Sequence, residues 1–292
     1  MDLLSRIADV IIPVFFIVGV GYAYARRHAP DLATFNRIAL DVLAPLLVYS
    51  ALAAKDFQIG EHGRLLVGGT VLILGSGLLA LPLARLTGAQ PRTLVPVVMF
   101  NNCGNMGLPL ALLAFGQAHF GAAVALFSVS NLLHFSLGAR ITSHSARSRD
   151  LLLSPLMVAT LLGFVSAVTD VRPPPVLLSG MRLLGDALLP MMLFALGTRL
   201  IQLSRSGLAM GMLGALARPL IGLAIGIPLA WALELEGEAR GQLLLFAALP
   251  PAVIQYMLAE KYHQEPDKVG AMIMLGNALA VVFVPLALAI GL

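Results

Sequence analysis

Two groups of residues interrupt long apolar stretches of this chain where a solute could be held. The first is Asn101-Asn102-Cys103-Gly104-Asn105-Met106-Gly107-Leu108-Pro109-Leu110, inside an apolar run from about Leu94 to Phe115. The second, about 150 residues later, is Leu249-Pro250-Pro251-Ala252. Asn101, Asn102 and Asn105 each carry amide donors and an acceptor. A half-helix beginning near Met106 would turn its positive N-terminal end toward a cavity, a geometry suited to a carboxylate. The second break offers the same from elsewhere in the chain, with Gln255 one turn beyond Pro250 and Pro251. The asparagines would also serve as caps for the broken helix ends, and the two roles are compatible.

Three ionisable residues lie within apolar stretches, where charge is costly and usually functional. Asp41 and Asp186 are candidate proton-coupling carboxyls, since desolvation raises a carboxyl pKa; the alternative is that each only fixes helix packing. Arg218, followed by Pro219, is the most deeply placed cation and could pair with Asp186, attract an anion or neutralise a buried carboxylate. Asn131 and Asn277 fit hydrogen bonding across a bundle. His134, on the face of Asn131, is either a proton relay or a packing residue. Glu260-Lys261 reads as a solvated interfacial pair.

The elements that position these residues follow from composition. Of 292 residues, 59% are hydrophobic and 12% charged, and mean hydropathy is +0.90. A soluble domain carries roughly 25% charged residues, so this is an integral, multi-pass membrane protein. The net charge of +4 does not point to nucleic acid, because the basic residues cluster in short loops. The single cysteine, Cys103, excludes a disulfide framework and a cysteine-rich metal site. Apolar spans of membrane-crossing length fall ten times, at about 9–25, 36–54, 64–86, 94–116, 120–139, 151–169, 179–201, 207–232, 241–261 and 268–290. The first is read as a retained helix rather than a cleaved leader.

With ten spans the loops alternate in charge. Arg26, Arg27, Arg37, Arg85, Arg92, Arg140, Arg147, Arg149, Arg199, Arg205, Lys261 and Lys268 fall on one side. Arg6, Lys55, Arg64, Arg172, Arg182 and Arg240 fall on the other, with Glu234, Glu236 and Glu238. The positive-inside rule makes the first side cytoplasmic and places both termini outside. The chain also repeats. Asp41-Val42-Leu43-Ala44-Pro45 matches Asp186-Ala187-Leu188-Leu189-Pro190, Pro13 matches Pro155, Pro109 matches Pro250-Pro251, and Asn131 matches Asn277, at offsets of about 142–146 residues. Residues 1–141 and 151–292 are thus expected to form two five-helix repeats of opposite orientation, joined by a short cytoplasmic linker at 142–150. The expected fold is an all-α membrane protein of ten helices in a 5+5 inverted repeat, with broken crossover helices four and nine.

Enzymatic readings find little. There is no phosphate-binding loop and no His-Glu-x-x-His helix. The serines lack a matching His and Asp set, and Leu183-Leu184 before Gly185-Asp186 departs from an intramembrane aspartyl protease pattern.

Several stretches resemble the auxin efflux carrier family, which includes bacterial transporters and the plant PIN-type carriers. They are Asn36-Arg37 with Pro45-Leu46-Leu47, Asn102-x-x-x-Met106-Gly107-Leu108-Pro109-Leu110, and Asp186-Ala187 through Met191, Leu193-Phe194 and Leu196-Gly197. The most specific is Ala248-Leu249-Pro250-Pro251-Ala252-Val253-Ile254 through Leu258-Ala259-Glu260-Lys261-Tyr262 and Pro266-Asp267. The resemblance implies a scaffold of spans one, two, six and seven, a transport part of the other six, and a crossing of spans four and nine at their unwound prolines. It also implies elevator-like alternating access and a carboxylate-bearing substrate at the crossing, against Asn101, Asn102, Pro109, Pro250 and Gln255. Asn105 and Pro251 join that set from the reading of the breaks, and Asp41, Asp186, Arg218 and Asn277 are the coupling candidates. The short central linker departs from the long loop of plant members, so auxin is a poor guess, and a mono- or dicarboxylate such as malonate fits better.

The expectation is a secondary carrier of a small organic anion in the lipid bilayer of a bacterial cytoplasmic (inner) membrane. It has no cofactor, H⁺ or Na⁺ as its coupling ion, no nucleic-acid partner and, by resemblance only, a homodimeric state. A sodium-coupled symporter of the bile-acid carrier type and a non-transporting sensor are the alternatives.

Overall fold

The computed structural model describes residues 3–28, 30–54, 57, 59–142, 153–200 and 207–291. We number its helices α1 (Leu3–Ala25), α2 (Leu32–Leu52), α3 (Gly63–Thr87), α4 (Pro91–Met99), α5 (Cys103–Phe115) and α6 (Gln117–Thr142). They continue as α7 (Pro155–Thr169), α8 (Pro175–Arg199), α9 (Leu208–Ala232), α10 (Gly237–Ala248), α11 (Ile254–Lys261) and α12 (Pro266–Gly291). The protein is all-α and multi-spanning. Seven of these helices, among the described residues, are long and apolar enough to cross a membrane, and α5 and α7 are shorter apolar helices.

Three of the ten expected spans fall short of that length for physical reasons. The fourth and ninth are each cut in two, as α4/α5 and α10/α11. The sixth begins at Pro155, behind the Ser154 N-cap, whose Oγ accepts from the Met157 N–H. The expected linker at 142–150, with Arg147 and Arg149, lies outside the described residues beyond Thr142, as do Lys55 and Arg205.

Proline sets the local defects. Pro45 cannot donate to the Asp41 carbonyl, and α2 widens into a π turn over Ala39–Leu43 just before it. Pro190 stands in the same relation to Asp186, and there α8 is interrupted at Ala187. Pro109 likewise follows a π turn at Cys103–Gly107. The repeated Asp-x-x-x-Pro thus yields a helix defect in each half of the chain.

Glycines set the closest approaches. A Cβ on Gly21 would lie 2.1 Å from the Phe194 carbonyl oxygen, and one on Gly197 would lie 2.0 Å from that of Val18. Consequently α1 packs backbone to backbone on the second half of α8, while α7 packs on α2. These four helices form one group. The other group is centred on α9 and α12, with α3, α4 and α10 against them. The pairings α1 with α8 and α7 with α2 relate the halves of the chain to one another, as an internal repeat does.

Candidate functional site

The two breaks meet as backbone. Asn101 and Pro251 form an isolated antiparallel bridge. The Asn102 N–H donates to the Pro250 carbonyl at 2.8 Å, and the Ala252 N–H donates to the Phe100 carbonyl at 3.0 Å. Each break satisfies groups freed in the other, which is how unwound backbone survives at membrane depth.

The helical path differs from the sequence expectation in one respect. Only Phe100–Asn102 is unwound in the first break, and α5 starts at Cys103 rather than near Met106. Pro109 therefore lies inside α5, directly behind the π segment that accommodates its missing N–H, and is not at the crossing. Pro250 and Pro251 are at it.

The side chains around the crossing are buried and mutually paired. Asn102 donates to Asn277 Oδ1 at 2.9 Å, and Asn277 donates to the Ile273 carbonyl at 2.8 Å. The Asn102 carbonyl accepts from Met106 and Gly107. Asn101 Nδ2 donates to the Phe246 carbonyl at 2.6 Å, while its Oδ1 is buried without a partner. Gln255 Nε2 lies 3.2 Å from the Pro96 carbonyl, to which it donates, and 2.8 Å from His134 Nε2. That donor makes His134 Nε2 an acceptor, which places the ring proton on Nδ1. The His134 ring stacks on Phe100 with centroids 4.2 Å apart.

Arg218 is 0% exposed. Its guanidinium donates to the Phe246 carbonyl at 3.3 Å and the Ala247 carbonyl at 3.4 Å, at the C-terminal end of α10, and its Nε has no partner. The expected pairing with Asp186 is not seen; no carboxylate among the described residues bridges to Arg218. Burying the charge costs several kcal/mol. Two charge-assisted hydrogen bonds contribute about 1.5–3 kcal/mol each, and the negative end of the α10 dipole adds to them.

A cavity of about 80 Å³ opens at the crossing. That volume is room for several waters or a small solute. Asn101, Asn102, Cys103, Gly104 and Asn105 line it from the first break, Ala252, Val253 and Ile254 from the second. Asn131 and His134 complete the polar wall, and Leu40, Ala44, Leu188 and Met192 close it from α2 and α8. Asn131 Nδ2 is a buried donor without a partner. The first turn of α5 leaves further N–H groups without intrahelical acceptors, and only Met106 and Gly107 reach the Asn102 carbonyl. The wall thus carries unsatisfied donors and the positive end of a helix beside the unpartnered Asn101 amide oxygen, and no carboxylate among the described residues lines it. Pro109, Pro250, Pro251, Gln255, Asn277, Arg218, Asp41 and Asp186 do not line it.

Asp41 is exposed and lines a second, larger cavity of about 700 Å³. Asn36, Arg37, Arg199, Glu260 and Asp267 share that lining, and Leu40 and Val253 border both cavities. Asp186 is exposed as well. Both aspartates sit next to the helix defects before Pro45 and Pro190, with their side chains turned away from the packed interior. On the other flank, Ala51, Phe57, His62, Gln117 and Arg182 surround only about 20 Å³.

Residue types alone gave no warning of the Thr93–Glu265 contact. Thr93 Oγ1 donates to Glu265 Oε2 at 2.6 Å, Lys268 pairs with Glu265, and Gln264 donates to Gln90 and Thr93. This cluster ties the start of α4 to the turn before α12.

The chain matches the family model described as membrane transport protein over residues 7–151 and 143–288. It is 23% identical over 302 residues to an uncharacterized transporter of Methanocaldococcus jannaschii, covering 95% of this chain and 96% of that protein. A provisionally named malonate transporter of Rhizobium meliloti is 24% identical over 304 residues, covering 95% and 93%. Auxin efflux carrier component 8 of Arabidopsis thaliana is 28% identical over 141 residues, covering 45% of this chain and 38% of that protein.

Proposed function

This chain belongs to the membrane transport protein family, which takes in the auxin efflux carriers, and on that premise we propose that it is a secondary carrier for a small organic anion. It is a transporter rather than an enzyme. The observation that carries the anion reading is the donor-lined, carboxylate-free wall of the 80 Å³ cavity, built on the N-terminal end of α5. Asn102 and Asn105, with the N–H groups of the first α5 turn and Asn131, would hold a carboxylate there. His134, with its acceptor nitrogen already engaged by Gln255, has Nδ1–H left to offer. The name of the Rhizobium relative favours malonate or a similar mono- or dicarboxylate.

Ten spans in a 5+5 inverted repeat account for both chain breaks, both Asp-x-x-x-Pro defects and the crossed helix pairings. In this reading α1, α2, α7 and α8 are the fixed scaffold, and the remainder moves across the bilayer as an elevator. The wide cavity lies on the side of Arg37, Arg199 and Lys261, which the positive-inside rule makes cytoplasmic. The contrast between about 700 Å³ there and about 20 Å³ opposite supports an inward-open state of a bacterial inner-membrane carrier. Homodimerisation rests on the family resemblance alone.

The test is uptake of labelled malonate, oxalate, succinate and indole acetate into proteoliposomes, under imposed pH and Na⁺ gradients. Saturable flux of one acid, lost in Asn102→Ala, is expected. Saturable binding of an acid with no flux under any gradient would replace the carrier with a sensor.

A further inference from the structure

We propose that Arg218 is a built-in replacement for a coupling cation, so that this carrier works without sodium and becomes sodium-responsive when the arginine is removed. The proposal rests on the carrier reading above and extends it to the coupling ion.

In carriers with broken helices, freed carbonyls and the C-terminal ends of half-helices coordinate Na⁺. The corresponding oxygens here are the Phe246 and Ala247 carbonyls, at the end of α10 next to the crossing. Both are already held by the guanidinium of Arg218. The side chain has a prepared seat. A Cβ on Gly222 would lie 2.4 Å from the Arg218 guanidinium and 2.0 Å from the Ala247 carbonyl oxygen, so only glycine permits this approach. A third oxygen, Asn101 Oδ1, is buried and without a partner, on the residue whose Nδ2 binds the same Phe246 carbonyl. Two backbone carbonyls on one buried cation, with an unpartnered amide oxygen on Asn101 beside them and no carboxylate among the described residues bridging the guanidinium, describe a cation site filled by a side chain. Hard monovalent cations take such oxygen donors. Removing the guanidinium would expose these oxygens and leave room for an ion with water.

Thermal unfolding of the purified protein tests this without a transported substrate. Melting temperatures are compared in NaCl and in choline chloride at equal ionic strength. Wild type is expected to melt at the same temperature in both salts. Arg218→Ala is expected to melt lower in choline and to recover with NaCl, saturably, by about 2–4 °C. Arg218→Lys, which keeps the cation, is expected to be indifferent to sodium. A sodium-dependent shift in wild type or in Arg218→Lys overturns the proposal, whether or not Arg218→Ala accumulates. Equal melting of a folded Arg218→Ala in both salts also overturns it. Failure to transport any acid would leave these outcomes readable and would count against the carrier reading alone.

Discussion

At the first break every residue from Asn101 to Asn105 lines the 80 Å³ cavity, whereas at the second only Ala252, Val253 and Ile254 do. The two breaks share one backbone bridge and divide the work. The first holds the asparagines and leads into the N-terminal end of α5. The second holds the prolines, which bring Pro250 and Ala252 into pairing range and present little polar surface. Its neighbours act from behind: Gln255 caps the Pro96 carbonyl and engages His134, while Arg218 caps α10. Near-symmetric geometry therefore carries asymmetric chemistry, and the proposed anion site falls to the first break.

The largest effect that would sharpen this contrast comes from Asn105→Asp. A carboxylate about 4 Å from a bound anion opposes it by about 4 kcal/mol at an effective dielectric of 20. Equilibrium binding of the transported acid should weaken by about 100-fold or more, with the melting temperature held, because Asp suits a helix N-terminus. Asn102→Ala acts on both stability and site. It leaves Asn277 Oδ1 buried without its donor, so unfolding should cost about 1–3 kcal/mol less, and uptake should fail. Gln255→Leu strips the donor from Pro96 and His134 at a cost of about 1–2 kcal/mol; chemical denaturation would read it.

The counterpart at the second break is Pro251→Ala. It should lower stability by about 0.4–1 kcal/mol through unfolded-state entropy, with the affinity for the acid left within about twofold. A large affinity loss there would break the asymmetry.

The smallest effect is the pH response of the Thr93–Glu265–Lys268 cluster. Burial opposes ionisation of Glu265, but the Lys268 and Thr93 hydrogen bonds outweigh it and hold the carboxyl below its ordinary value of 4.5. A depressed carboxyl adds stability above its unfolded pKa and loses it as pH falls through the folded one. Melting temperature should therefore drop below about pH 4.5 more steeply in wild type than in Glu265→Gln. The difference is worth about 0–1 kcal/mol, since the pair is partly solvated.

Much of this was legible in the sequence, because some residue types leave few options in a bilayer. Gly, Asn and Pro inside apolar runs marked both breaks, and the Asp41–Pro45 and Asp186–Pro190 spacing marked the paired helix defects. The crossing register was not legible. It depends on main-chain pairing of Phe100 with Ala252 and of Asn102 with Pro250, and carbonyl groups carry no side-chain signature. For the same reason Arg218 suggested a carboxylate partner, when its partners are the carbonyls ending α10. Pro109 lies inside α5 behind its π turn, and in sequence a proline accommodated within a helix looks the same as one at a break. Which way Asp41 and Asp186 face was not legible either, because helix rotation decides it and their apolar neighbours do not.

Cys103 provides the most direct measurement. It is the protein's single cysteine, it is buried, and it lines the cavity between Asn102 and Gly104. The rate of its modification by methyl methanethiosulfonate would be followed in the purified wild-type protein over a titration of each transported acid. A solute held against residues 101–105 should slow the reaction saturably, with a midpoint matching that of uptake. An acid that is carried at full rate while Cys103 reacts undiminished would contradict the placement of the site at the first break.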